Sequence, residues 1–229
     1  VDVNQADIDG ATPLYAASKH GRHEVVSLLL DDENINMNQG IHRNGATALF
    51  IASQENHWNV VSVLLSYGGV NVNQAMNDGA TPLYIASQQG HTKTVSLLLA
   101  ADGIEVNRAR NVGATPLYIA CQKGHADIVS LLIAKEGVEV NQADIRDATP
   151  LIIASFEGHT KVVSLLLDVE GIKVNQALND GSTPILIARD KGHKDIVAIL
   201  RHKGAIIPYQ QAYPMSFWLR GAVILTAIL

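Results

Sequence analysis

Six times along this chain a threonine is followed by proline or alanine and then by an aliphatic residue. The copies are Thr12-Pro13-Leu14, Thr47-Ala48-Leu49, Thr81-Pro82-Leu83, Thr115-Pro116-Leu117, Thr149-Pro150-Leu151 and Thr183-Pro184-Ile185, at steps of 35, 34, 34, 34 and 34 residues. An asparagine keeps nearly the same beat at Asn4, Asn38, Asn73, Asn107, Asn141 and Asn175. Self-similarity at such a period marks a stack of supersecondary units rather than one closed core. A stack has no size limit set by a single core, so 229 residues need no division into two globular domains. Val1-Asp2-Val3-Asn4 matches Val138-Glu139-Val140-Asn141, a junction between copies, so the sequence reads as a piece of a longer array.

The third copy shows the physics of one unit. Met76-Asn77-Asp78-Gly79 is a turn: Asn and Asp bond their own backbone, and Gly accepts positive φ. Thr81 can cap a helix with its hydroxyl, and Pro82 suits the first helical position, where its missing N–H costs nothing. Gly90 then serves as a left-handed cap. A second helix follows with Val95, Leu98 and Leu99 on one apolar face. Gly103 ends it, and the chain extends to Asn107. Alone this unit cannot bury its apolar faces; stacked on neighbours it can.

Asn-Gly-x-Thr-Pro-Leu, then Ala, Gly-His, Val-Val-x-x-Leu-Leu and a Gly before Asn resembles the ankyrin-repeat pattern over residues 1 to about 207. The resemblance implies an all-α ankyrin-repeat solenoid of six stacked helix-turn-helix units with projecting β-hairpin-like turns. It implies an array over 1–207 and leaves 208–229 as an apolar tail. It says little about activity, because function lives in sites grafted onto folds. It also implies that Asn73, Asn107, Asn141 and Asn175 stand where asparagines of the family can be hydroxylated.

The departures from the pattern are specific. The family period is 33; the extra residue here falls between the Leu pair and Gly, as in Leu99-Ala100-Ala101-Asp102-Gly103, which predicts a longer second helix or loop. The family's His after Thr-Pro-Leu is replaced by Tyr15, Phe50, Tyr84, Tyr118, Ile152 and Leu186. In the family that His joins a hydrogen-bond chain between repeats, so here packing or a phenol hydroxyl must take over. The second unit has one more turn residue, Ala48 for Pro and Asn56 for Gly; in the fifth, Asp147 replaces the turn Gly.

Several function classes find no support. With 17 Lys+Arg against 22 Asp+Glu the net charge is −5, and no basic stripe speaks for nucleic acid. A lone cysteine and the lack of any Asn-x-Ser/Thr acceptor point to an intracellular, cytoplasmic chain. No apolar run reaches the roughly 20 residues of a membrane span, so no membrane contact is expected within 1–207. His57, His91, His125, His159 and His193 share one repeat position. Stacked helices lie about 8–10 Å apart against Zn–N bonds of about 2.0–2.1 Å, so these histidines cannot converge on one ion and instead should bond loop backbone. Cys121 stands where Ser53, Ser87 and Ser155 stand elsewhere, which reads as a packing residue without a base beside it. No enzyme, cofactor or metal is expected.

What varies from unit to unit is more telling. One varying row lies at the turns, the other near the ends of the first helices, and in ankyrin proteins these rows line the concave groove that takes partners. That implies a non-catalytic module binding a protein partner. The sequence leaves open a cytosolic regulatory segment of a membrane protein such as a channel. Arg and aromatic residues carry most interface energy, so the contact centre is expected across the fourth and fifth units at Arg110, Tyr118, Ile145, Arg146 and Phe156. His42, Arg43 and Trp58 of the irregular second unit are next in line. Trp58 holds an exposed-type position and either leans on the neighbouring helix or marks a contact outside the groove. The tail from Ile206 to Leu229 is strongly apolar with Arg220 its only charge. It reads as a helix docked on the last unit or on a second copy, which would give self-association, as the start of a membrane span, or as an end without fixed structure.

Overall fold

A computed structural model describes residues 2–207. Twelve helices among these residues form six consecutive pairs. The first members are α1 (Pro13–Lys19), α3 (Ala48–Gln54), α5 (Pro82–Gln89), α7 (Pro116–Lys123), α9 (Pro150–Glu157) and α11 (Pro184–Asp190). The second members are α2 (His23–Leu30), α4 (Trp58–Ser66), α6 (Thr92–Leu99), α8 (Ala126–Ile133), α10 (Thr160–Leu167) and α12 (Lys194–His202). First helices pack on first helices and second on second, giving two layers with the core between them. The helix expected over 208–229 lies outside the described residues.

The repeated threonine does what its position predicts. Thr12, Thr47, Thr81, Thr115 and Thr149 each accept the third helical amide at 3.1–3.2 Å. Thr183 makes no such bond. The second helices lack a side-chain cap. In five of them the N-cap histidine reaches the preceding unit instead. His57, His91, His125, His159 and His193 meet the carbonyls of Lys19, Gln54, Gln88, Gln122 and Phe156 at 3.0–3.1 Å. A carbonyl only accepts, so each Nε2 carries the proton. The expected loop bond is therefore a bridge to the end of the neighbouring first helix.

The asparagines form a second seam. Asn107 Nδ2 donates to Gly137 O at 2.7 Å, and its Oδ1 accepts from Glu139 N at 2.9 Å. Asn4, Asn38, Asn73 and Asn141 repeat this, and Asn175 does so with a longer 3.4 Å donor bond to Gly204. A third seam joins the turn tips, where His42, Asn77, Asn111 and Ile145 each donate a backbone N–H to the preceding turn at 2.8–3.2 Å. The extra residue of the 34-residue period falls in the loop after the second helix: α6 stops at Leu99 and the chain turns through Ala100 to Gly103.

Candidate protein-binding surface

The two varying rows fall on the turn tips and on the ends of the first helices. Position by position, the turn residue five before each threonine faces the third helical residue of the unit before it. Asp144 of the fifth turn lies buried beneath Tyr118 of the fourth unit, whose hydroxyl donates to Asp144 Oδ2 at 3.2 Å. Arg146 closes on the same oxygen at 2.6 Å through Nη2 and 2.9 Å through Nε, and reaches the Tyr118 hydroxyl at 3.3 Å. Asp144 Oδ1 accepts the backbone amides of Arg146 and Ala148 at 2.9 and 3.0 Å. Burial first, and the Asp144 charge second, hold the Tyr118 hydroxyl well above the usual tyrosine range.

One unit earlier the same place is filled differently. Arg110 pairs with Asp78 at 2.8 Å and sits 5.8 Å from the centre of the Tyr84 ring. Burial raises the Tyr84 hydroxyl and the Arg110 bond opposes it. The corresponding turn residues Ile41, Met76 and Leu178 are apolar and pack on the core. They follow Tyr15, Phe50 and Ile152 in the preceding units. Where the family uses histidine and aspartate, this chain uses matched pairs, polar with polar and apolar with apolar.

The residues expected to form one contact centre are thus divided. Tyr118 is 2% exposed and supports Arg146 from beneath, so it is not a surface aromatic. Phe50 and Tyr84 are buried as well, and the aromatic line along the stack is a packing ladder. Arg110 and Arg146 are committed to Asp78 and Asp144. Ile145 stands out at 68% exposure beside Arg146. Phe156 is half-buried at the end of α9, with the Lys191 ammonium 3.9 Å from its ring centre. No bond joins Phe156 to the Arg146 cluster among the described residues. His42 and Arg43 are exposed on the enlarged second turn. Trp58, at 37% exposure, carries the Lys93 ammonium 2.9 Å from its ring centre, so it leans on the next second helix.

Sequence reasoning missed Asp144, Asp78 and the two lysines. Reading each turn against the unit before it, rather than down a single column, would have exposed the Asp144–Tyr118 match. Among the described residues no group of His, Cys, Asp or Glu could hold a metal ion. Burial lifts the Cys121 thiol far above its usual range. None of the helices among these residues is long and apolar enough to cross a membrane.

Comparison with known proteins agrees with this architecture. A family model described as ankyrin repeats (3 copies) matches residues 1–76, 68–144 and 136–211. A similar solved structure is an ankyrin repeat domain from Acinetobacter baumannii AYE, 29% identical, with a TM-score of 0.77, covering 85% of this chain and 98% of that one. Another is the crystal structure of an ankyrin repeat protein, 26% identical, with a TM-score of 0.77, covering 86% of this chain and 98% of its own. Among curated proteins there is no match.

Proposed function

The chain belongs to the ankyrin-repeat family, and from that membership we propose that it is a non-catalytic module that binds a protein partner through its concave face, with residues 1–207 acting as one array. Ankyrin repeats are generally protein–protein interaction modules. The observation that carries the choice of site is the fifth turn. There Ile145 projects into solvent from a backbone pinned on both sides by the Asp144–Arg146–Tyr118 cluster. A rigidly held exposed aliphatic loses little entropy on binding. Around it the two rows offer mixed charge and amides, among them Gln88, Gln122, Lys123 and Glu157, a surface suited to a folded or extended protein segment rather than to a polyanion.

The test places a photo-crosslinking residue at position 145 and, as a control, at Ile206, which is also exposed but off both rows. Position 145 should capture one protein that position 206 does not. With that protein in hand, Ile145→Ala and Phe156→Ala should each weaken binding by about 1–2 kcal/mol at unchanged melting temperature. Full affinity in both variants would move the site to His42, Arg43 and Trp58.

A further inference from the structure

We propose that the outer face of the first helix pair is one half of an inter-unit interface, and that its occupant is one more helix pair of the same kind, supplied by the same polypeptide and entering through Val1. Four observations carry this. The apolar residues of that face are those of an interior unit. Val25 is 46% exposed, while Val60, Ile128, Val162 and Ile196 at the same position are at most 1% exposed. Leu28 is 73% exposed, whereas Leu97, Leu131 and Leu165 are half-buried under the preceding pair.

The polar bridging groups are in place as well. Asp7 holds the position of Asp144, and its Oδ1 accepts Asp9 N and Ala11 N at 3.0 and 2.9 Å, as Asp144 does within the fifth turn. The Asp144 oxygen that takes the Tyr118 hydroxyl has its counterpart on Asp7 without a partner. Arg22 stands where the bridging histidines stand and is likewise an exposed donor without a bond.

The backbone of residues 2–5 repeats the closing turn of a unit. Gln5 N donates to Asp2 O at 3.1 Å, as Gln74 N does to Asn71 O and Gln142 N to Glu139 O. Everywhere else that turn follows a second helix, so the occupant's chain is continuous with Val1.

The opposite end of the stack is built differently. Arg201 replaces the aliphatic residue found at Leu30, Leu99 and Leu167, and Arg189 replaces the small buried residue found at Ser87, Cys121 and Ser155. That is a polar terminal face. It offers Leu186, without a donor, where Asp7 calls for one, so the far end of a second copy does not fit the near end of the first.

The test extends the full chain by a duplicate of residues 104–137 ahead of Val1, which would set the duplicated Tyr118 over Asp7 as it sits over Asp144. The extended protein should unfold in one transition, with a midpoint raised by about 4 °C or more. Amide exchange in α2 should slow about tenfold or more. Leu28→Lys should leave the 229-residue chain within about 1 °C of its midpoint and should remove the gain from the extended one. A separate low-temperature transition for the added unit would overturn the proposal, as would an equal effect of Leu28→Lys in both proteins. A concentration-dependent dimer of the 229-residue chain that Leu28→Lys dissolves would assign the face to a second copy and overturn it too.

Discussion

Asp144 gathers more of the fold than any other side chain: two amides of its own turn, a guanidinium from the same turn and a phenol from the previous unit. Removing it strands a buried hydroxyl and two amides, so Asp144→Ala should cost about 3 kcal/mol in urea unfolding. Tyr118→Phe removes one bond of the set and should cost about 1 kcal/mol. The two variants also differ with pH. An unfolded Tyr118 ionises near pH 10, while the folded one keeps its proton to higher pH. Above about pH 10 the unfolded state therefore holds fewer protons, and stability falls as pH rises. Tyr118→Phe should flatten that decline, leaving the smaller contributions of Tyr15 and Tyr84; an unchanged alkaline slope would contradict the burial of this hydroxyl. Cys121, fully buried with its thiol pushed up, should stay unreactive to thiol reagents until the chain unfolds.

At the level of elements, the two irregular units show how local exceptions are absorbed. Asn56 and Asp147 sit at φ values of 60° and 61° where the other units place glycine. At Asp147 the added side chain has a visible effect. A Cβ on the equivalent Gly113 would fall 2.9 Å from Asp144 Cα in the next turn. The turn after Asp147 makes no backbone bond to it, and the seam of turn tips stops there. Asp147→Gly should stabilise the protein by about 1 kcal/mol through relief of the left-handed conformation. Asn56 differs, because its Oδ1 accepts the hydroxyl of Thr94 at 3.2 Å, and Thr94 is a buried polar residue where other units have Val or Ile. Asn56→Gly alone should therefore bring no gain, while Asn56→Gly with Thr94→Val should match or exceed the wild type; simple additivity in calorimetry would contradict the coupling. The threonine caps, the helix pairs and the positive-φ sites were legible in the sequence because each is dictated within a few residues. The Asn56–Thr94 and Asp144–Tyr118 matches were not, because their partners lie 38 and 26 residues apart and only the stack brings them together.

Across the whole molecule, cohesion comes from seams that run unit to unit. Cutting one in the middle should uncouple what lies on either side. Asn107→Ala removes bonds of 2.7 and 2.9 Å at a central junction, and should cost about 1–2 kcal/mol while broadening the urea transition followed by circular dichroism. Asn175→Ala, with its 3.4 Å bond near the end of the array, should cost less and leave the transition sharp. Equal costs would mean that junctions contribute alike regardless of place. The candidate binding surface was only half legible, since which side chains reach solvent depends on what the preceding unit does with them; Tyr118 and Ile145 occupy adjacent units and end on opposite sides of that division.

The span of these bonds also bears on time. No side-chain hydrogen bond among the described residues reaches further along the chain than the 40 residues between Ser27 and Tyr67. A polypeptide emerging from the ribosome thus never waits for a distant partner. Each helix pair finds its support in the pair made just before it, and the loop to be closed stays short throughout. Synthesis at about 5–20 residues per second would deliver a new pair every few seconds, far slower than helices form, so folding can keep pace with translation from the first junction onward.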